Sequence, residues 1–185
     1  MYRAISLLNE FRQEPASVVN ERICCVNAAI ERVLQTYGGL VKERDIRAQI
    51  DLYPDRPPVF GDIRKLECVF SNLVLNAIEA MDEQQTERCL SVKTYFDSSR
   101  CLVRITIADS GPGISIETLP RIFDSFFTTK PQGTGLGLAI CRAIVFKHNG
   151  WIEARNHPEG GAAFEVYLPA VAEPAVVSAP GAFRT

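Results

Sequence analysis

The chain is poor in several of the features that usually declare a function. Only two of its 185 residues are histidines, His148 and His157, and only one is a tryptophan. Basic charge is not in excess: the formal net charge is −2 and the sequence pI about 5.8, so the electrostatic footprint of a nucleic-acid binder is missing. No apolar run is long enough to cross a bilayer, because the stretch 68–81 is interrupted by Ser71, Asn72, Asn76 and Glu79. Met1 is followed by neither a basic region nor a long apolar core, so no signal peptide and no membrane contact are expected. Internal repeats are absent. The six cysteines show no C-x-x-C spacing, which argues against a metal centre, and several sit among aliphatic residues as small buried hydrophobes. That usage points to a reducing compartment, the cytoplasm.

What is present is enough for one ordinary domain. Hydrophobic residues make up 46% of the chain and charged residues 23%, sufficient for a core beneath a solvated surface. Ile5, Leu8 and Phe11 fall near helical spacing before Pro15, which predicts a short helical stub over residues 1–15. Residues 17–23 suit a strand. Apolar positions from Val26 to Val41 recur at i, i+3 and i+4 and predict an amphipathic helix over 26–44, despite Gly38 and Gly39. Imperfect alternation at Ile46, Ala48, Ile50 and Leu52 suggests a strand, and Val59–Phe60 another. Asp62 is placed to cap a helix over 63–83. Strands are expected over 90–96 and 101–108, joined by the turn-like DSSR, then a helix over 134–148 closed by Asn149–Gly150. A hairpin, 151–156 and 163–168, turns across PEGG, and residues 170–185 carry no pattern and are expected to be disordered. The order of elements predicts an α/β two-layer sandwich, with a mixed, mostly antiparallel sheet covered on one face by three helices.

The chemistry concentrates in two places. On the 63–83 helix, Asn72, Asn76, Glu79 and Ala80 recur on one polar face, opposite an apolar face of Leu66, Phe70, Leu73, Ala77 and Met81. An asparagine offers Mg²⁺ a hard oxygen without adding charge, and Mg²⁺ commonly takes one or two protein ligands beside phosphates and water. Asn76 is the candidate, although a buried asparagine satisfied by backbone would look the same. The second place is 109–137, where Asp109 precedes Gly111 and Gly113, and Gly133, Gly135 and Gly137 open a helical pattern. Two glycine clusters bracketing an aromatic-containing segment have the layout of a ligand lid. The second cluster, at a helix start, offers unpaired N–H groups to an anion. Asp109, an acceptor-only carboxylate at a strand end, suits a donor such as the exocyclic amino group of adenine; Asp-Ser-Gly is equally ordinary turn chemistry. G-T-G-L-G-L is neither a P-loop nor a dinucleotide fingerprint. Lys130 and Arg121 are the lid cations within reach of a phosphate, balanced by Glu117 and Asp124. Phe123, Phe126 and Phe127 read as packing that latches the lid rather than as base-stacking groups.

Each piece is ambiguous alone, but the ordered set is specific. N-L-V-L-N-A-I-E-A-M, D-S-G-P-G-I, I-F-D-S-F-F-T-T-K-P-Q and G-T-G-L-G-L-A-I resemble the N, G1, F and G2 boxes of the catalytic and ATP-binding domain of sensor histidine kinases. That superfamily is shared with gyrase, Hsp90 and MutL. The four boxes span 66–141, and the run through the lid looks most like the nitrogen-regulation and oxygen-sensing type of kinase. The resemblance implies a Bergerat ATP fold over 16–169, with ATP and Mg²⁺ as cofactors and transfer of the γ-phosphoryl to a histidine. Asn76 would hold Mg²⁺ with Asn72 beside it, and Asp109 would bind adenine, with Gly111 and Gly113 letting the backbone approach. Lys130, Thr134, Gly135, Gly137 and Leu138 would cradle phosphates. Glu79, Ala80, Ile114, Phe123, Thr129, Gly133 and Leu136 complete the implied nucleotide-contacting set. Residues 1–15 resemble the end of a dimerisation and phosphoacceptor helix. The partners implied are that histidine-bearing domain and a downstream response regulator.

Two features depart from a complete kinase. The phosphoacceptor histidine motif is absent, and Glu79 stands where many relatives carry a basic residue. ATP-gated clamps of the gyrase type resemble one another in a glutamate one turn before the metal asparagine, a position that is Asn72 here. A nucleotide-binding regulator without catalysis, of the anti-sigma or pseudokinase kind, is the other alternative.

Overall fold

The computed structural model describes residues 22–55, 57–81, 87–131, 133–157 and 160–171. The helical stub expected over 1–15 and the disorder expected over most of 170–185 lie outside these residues.

The described residues open with a short strand, β1 (Arg22–Cys25), that pairs antiparallel with β3 (Pro58–Gly61) in a separate two-stranded ribbon. Between them come helix α1 (Val26–Glu43) and strand β2 (Arg47–Asp51). Helix α2 (Ile63–Ala80) leads into the β4–β5 hairpin (Cys89–Asp97, Leu102–Asp109). A single 3₁₀ turn, Leu119–Arg121, precedes α3 (Gly137–Lys147), and β6 (Trp151–Asn156) and β7 (Ala162–Pro169) close the fold. The main sheet runs β2-β4-β5-β7-β6, antiparallel except for the parallel pair β2–β4. Three helices packed on a mixed five-stranded sheet are what the element order predicted.

Helix α2 is the middle of the helical layer, packed between α1 and α3 and against β5. Its 3.6-residue stripe puts Leu66, Val69, Phe70 and Leu73 at 0% exposure over Val103, Ile105 and Ile107 of β5. Truncating Phe70 to alanine would cost roughly 3–5 kcal/mol, the usual loss for a fully enclosed aromatic. Asp62 caps the helix as expected: its Oδ1 accepts from the N–H groups of Arg64 (2.9 Å) and Lys65 (3.5 Å). A buried polar link ties α1 to the sheet. Asn27 Nδ2 donates to the Tyr53 carbonyl at 2.8 Å, and the Thr94 hydroxyl donates to Asn27 Oδ1 at 3.2 Å while accepting from the Tyr53 N–H at 2.7 Å.

Several boundaries differ from expectation for local reasons. Of the strand expected over 17–23, only residues 22 and 23 are described, and both lie in β1, which runs on to Cys25. α2 stops at Ala80 instead of 83, because Met81 already has extended dihedrals. α3 starts at Gly137 rather than Thr134, because Gly135 takes a left-handed φ of +66° that no α-helix admits. The alternation at 46–52 predicted a strand, and β2 forms there, although every residue of it is exposed and Ile46, just before it, is buried. At the end of α3 it is Asn149 that turns left-handed (φ 56°), whereas Gly150 is needed because a Cβ there would overlap the Tyr167 carbonyl.

Candidate functional site

The two sequence-level clusters meet at one end of the α2–α3 pair. From α2, Asn72 and Asn76 are half-buried and Glu79 is exposed, one helical turn apart along a single face. Asn72 lies against the first turn of α3, since a Cβ on Gly137 would come within 2.5 Å of its Nδ2. The close approach explains why position 137 is glycine. Asn72 also lies beside the Cys141 thiol, which burial pushes up to about 12 and thus keeps protonated. The Cys141 Sγ contacts the Val69 carbonyl at 3.8 Å.

Asp109 ends β5 with only 7% exposure. Its Oδ1 accepts from the Gly111 N–H at 2.8 Å and from the Ala162 N–H at 3.3 Å. Its Oδ2 is bonded to no described residue, so an enclosed acceptor with free lone pairs is left over. Burial raises its carboxyl above the ordinary aspartate value, against the lowering by those two backbone donors. Gly111 has no room for a side chain, because a Cβ would meet the Ala80 carbonyl at 2.8 Å. Ala80 therefore enters the site as backbone at the end of α2. Gly113 turns at φ +80°, and the loop beyond it is held by Asn156: its Oδ1 accepts from the Ile114 N–H and its Nδ2 donates to the Ile114 carbonyl, both at 2.7 Å. Sequence reasoning passed over Asn156, and nothing in the local pattern of β6 distinguishes it from an exposed strand-end asparagine.

The lid is braced at several points. Phe123 meets Phe164 edge-on (6.5 Å between centroids, 90°), with Arg142 over its ring at 5.9 Å. Arg121 lies over Phe127 at 4.8 Å and 3.9 Å from Asp124, so its guanidinium is engaged within the lid. Phe126 has a φ of 68° and is largely exposed, and its N–H donates to the Gly135 carbonyl at 2.8 Å. This pinch requires glycine at 135, where any Cβ would run into the Phe126 backbone. Within the pinch, Lys130 N–H donates to Thr128 Oγ1 at 3.1 Å and Gly133 N–H to the Lys130 carbonyl at 3.0 Å. The Lys130 ammonium reaches α2, 2.5 Å from Glu79 Oε2 and 3.3 Å from Asn76 Oδ1. Thr129 and Thr134 are exposed. Leu136 precedes α3, its carbonyl accepting from the Ile140 N–H at 2.9 Å. Ile114, Phe123 and Leu138 pack against the core as partly buried residues.

The arrangement thus joins an enclosed acceptor, a helix N-terminus built from glycine backbone, and a lysine held over an amide oxygen. Among the described residues no group of three or more His, Cys, Asp or Glu side chains could hold a metal by itself. The donor set still fits a hard cation shared with a ligand, because Asn76 Oδ1 is presented to solvent on the side where an ammonium already sits.

Comparison with known proteins agrees with this geometry. Residues 61–172 match the family described as histidine kinase-, DNA gyrase B-, and HSP90-like ATPase. The sensor protein FixL of Bradyrhizobium diazoefficiens is 32% identical over 149 residues, covering 78% of this chain and 29% of its own. The sensory histidine kinase/phosphatase NtrB of Rhodobacter capsulatus is 36% identical over 130 residues, covering 64% of this chain and 36% of its own. The chain therefore spans about a third of the length of these relatives. Among solved structures, the catalytic domain of histidine kinase ThkA superposes with a TM-score of 0.72 at 32% identity, over 80% of this chain and 95% of that one. A crystal structure of ThkA in complex with the response regulator protein TrrA superposes at 0.73 with 27% identity, over 90% and 46%. No described helix is long and apolar enough to cross a membrane.

Proposed function

This chain belongs to the histidine kinase-, DNA gyrase B-, and HSP90-like ATPase family, in the form of a histidine kinase catalytic domain, and we propose that it transfers the γ-phosphoryl of ATP to a histidine carried by another domain. Residues 16–169 would be the catalytic unit and 1–15 the end of the helix that joins it to that domain. A response regulator would take the phosphoryl next, and the reaction would run in the cytoplasm.

The observation that carries the reading is Asp109, an enclosed carboxylate with one oxygen unbonded among the described residues. A buried acceptor of this kind selects a donor, and the adenine amino group supplies one where guanine presents a carbonyl. The N–H groups opening α3 and the Lys130 ammonium would then face the phosphates, giving charge neutralisation without covalent chemistry. Asn76 would hold Mg²⁺, which when bound neutralises phosphate charge. The positioned γ-phosphorus is attacked in line by a histidine ring nitrogen; the N–P bond forms, the bond to the bridging oxygen breaks, and ADP leaves. Asn72 stands where hydrolytic relatives resemble one another in a glutamate, and a neutral amide cannot take a proton from water.

Of the chain's two histidines, His148 cannot serve as the acceptor. His148 is buried, with both ring nitrogens in hydrogen bonds to backbone, and sits about 15 Å along α3 from its N-terminus. The test is incubation with γ-labelled ATP, with and without a histidine-bearing helical hairpin from a related kinase. Acid-labile label on the hairpin alone is expected; strong self-labelling, or rapid phosphate release without transfer, would overturn the proposal.

A further inference from the structure

The contact between Lys130 and Glu79 has the wrong sign for a phosphate site left to itself. Glu79 adds a negative charge one turn beyond Asn76, on the face where polyphosphate would approach, and helix geometry would let many other residues stand there. What Glu79 does in the structure is hold the lid lysine: Nζ lies 2.5 Å from Glu79 Oε2 and 3.3 Å from Asn76 Oδ1. Both side chains of the ion pair are partly open to water, at 45% and 39% exposure, so the pair is weak enough to be exchanged. The backbone beneath Lys130 is braced by Thr128 and by the Phe126–Gly135 pinch. Only the long side chain has to move for the ammonium to change partner.

We propose that Glu79 is a positioning residue that acts as a surrogate phosphate. It keeps Lys130 over Asn76 before nucleotide arrives, and the terminal phosphate of a triphosphate takes the ammonium from it. The inference rests on the reading of this site as an ATP site and extends it to discrimination between ATP and ADP. A diphosphate lacks the terminal group that competes with the carboxylate, so Lys130 stays with Glu79 and ADP is not retained by it. The carboxylate therefore lowers affinity for both the free triphosphate and its magnesium complex, while setting where the lysine waits.

Calorimetric titration of the purified chain with a non-hydrolysable ATP analogue and with ADP, each with Mg²⁺ and in EDTA, tests this. Glu79→Gln should tighten triphosphate binding about two- to fivefold, the range for releasing an exposed ion pair, with ADP affinity unchanged. Lys130→Met should erase most of the preference for triphosphate, and Glu79→Gln added to it should tighten triphosphate binding by less than it does in the wild type. If the wild type binds neither nucleotide, the ATP-site reading itself fails. If it binds both and Glu79→Gln leaves triphosphate affinity unchanged, the surrogate role is refuted. If Glu79→Gln weakens binding with Mg²⁺ but not in EDTA, Glu79 is a metal ligand instead and the proposal is overturned.

Discussion

The imidazole of His148 occupies the space that a side chain on residue 61 would fill, and Gly61 leaves that space free. The ring is fixed from both sides. Nδ1–H donates to the Ile144 carbonyl at 2.8 Å, which leaves Nε2 to accept from the Asp62 N–H at 3.0 Å. Asp62 is also the cap of α2, so the C-terminal end of α3 is tied to the N-terminal end of α2. At the opposite end of the pair, Asn72 lies against Gly137. These two contacts set how the asparagine face of α2 meets the glycine N-terminus of α3.

Gly61→Ala should therefore destabilise the domain by about 1–3 kcal/mol, the usual penalty for forcing a methyl into filled space. Thermal unfolding measures it. His148→Ala should also destabilise, by removing the acceptor of the Asp62 N–H. Combined with Gly61→Ala it should cost less than the sum, because the deleted ring makes room for the methyl. Strict additivity would show that the two residues do not share the space.

Asp109 illustrates a site maintained at a cost to stability. Its carboxyl is held above the ordinary aspartate value of 3.8 chiefly by burial. Ionising it in the folded state is thus harder than in the unfolded chain, so the penalty develops as pH rises from about 3.8 and is complete above the raised folded value. Asp109→Asn keeps the acceptor for Gly111 and Ala162 but carries no charge. It should raise Tm by a few degrees at neutral pH, with the gain fading as pH falls through the raised folded value and absent once it is below about 3.8. The same variant should lose adenine binding, since its amide turns a donor toward a donor. Higher stability with unchanged ATP affinity would dissociate Asp109 from the base.

Much of this was legible beforehand because it depends on local pattern. The 3.6-residue stripe of α2, the Asp62 cap and the alternation of β5 each follow from near neighbours in sequence. So do the glycines at 113 and 135, whose positive φ values make them the turning points of the lid. What escaped is non-local. The β1–β3 ribbon pairs segments more than thirty residues apart, and β2 lies at the sheet edge where alternation buries nothing. Asn156 reads as surface until the chain brings Ile114 to it. His148, read from the sequence only as a residue at a helix end, is buried because Gly61 arrives from 87 positions earlier.

The lid should respond to nucleotide along its length. Hydrogen exchange over 114–133 is expected to slow on adding a non-hydrolysable ATP analogue, because ordering around phosphates removes openings that reach the amides. Gly135→Ala should abolish that slowing. Residue 135 sits at φ +66° against the Phe126 backbone, so a methyl opens the pinch and moves Lys130 away from α2. Equal protection in the variant would show that the pinch does not set the lid.

Asn72 allows a prediction in which stability and binding move in opposite directions. It touches the first turn of α3 at Gly137, where the unpaired N–H groups carry partial positive charge. Asp for Asn at 72 preserves shape and lets the Cys141 thiol, protonated at neutral pH, donate to a carboxylate. A negative charge at a helix N-terminus contributes about 0.3–1 kcal/mol, so Asn72→Asp should be as stable as the wild type or slightly more so. The same charge stands where phosphates would be received and competes for the same N–H groups. Triphosphate affinity should fall by about tenfold or more, ADP affinity by less, and added salt should narrow both losses by screening. Calorimetry at two ionic strengths beside a thermal melt separates the terms. A parallel loss of stability and binding would mean that Asn72 matters only for packing, and unchanged binding would move the phosphates away from α3.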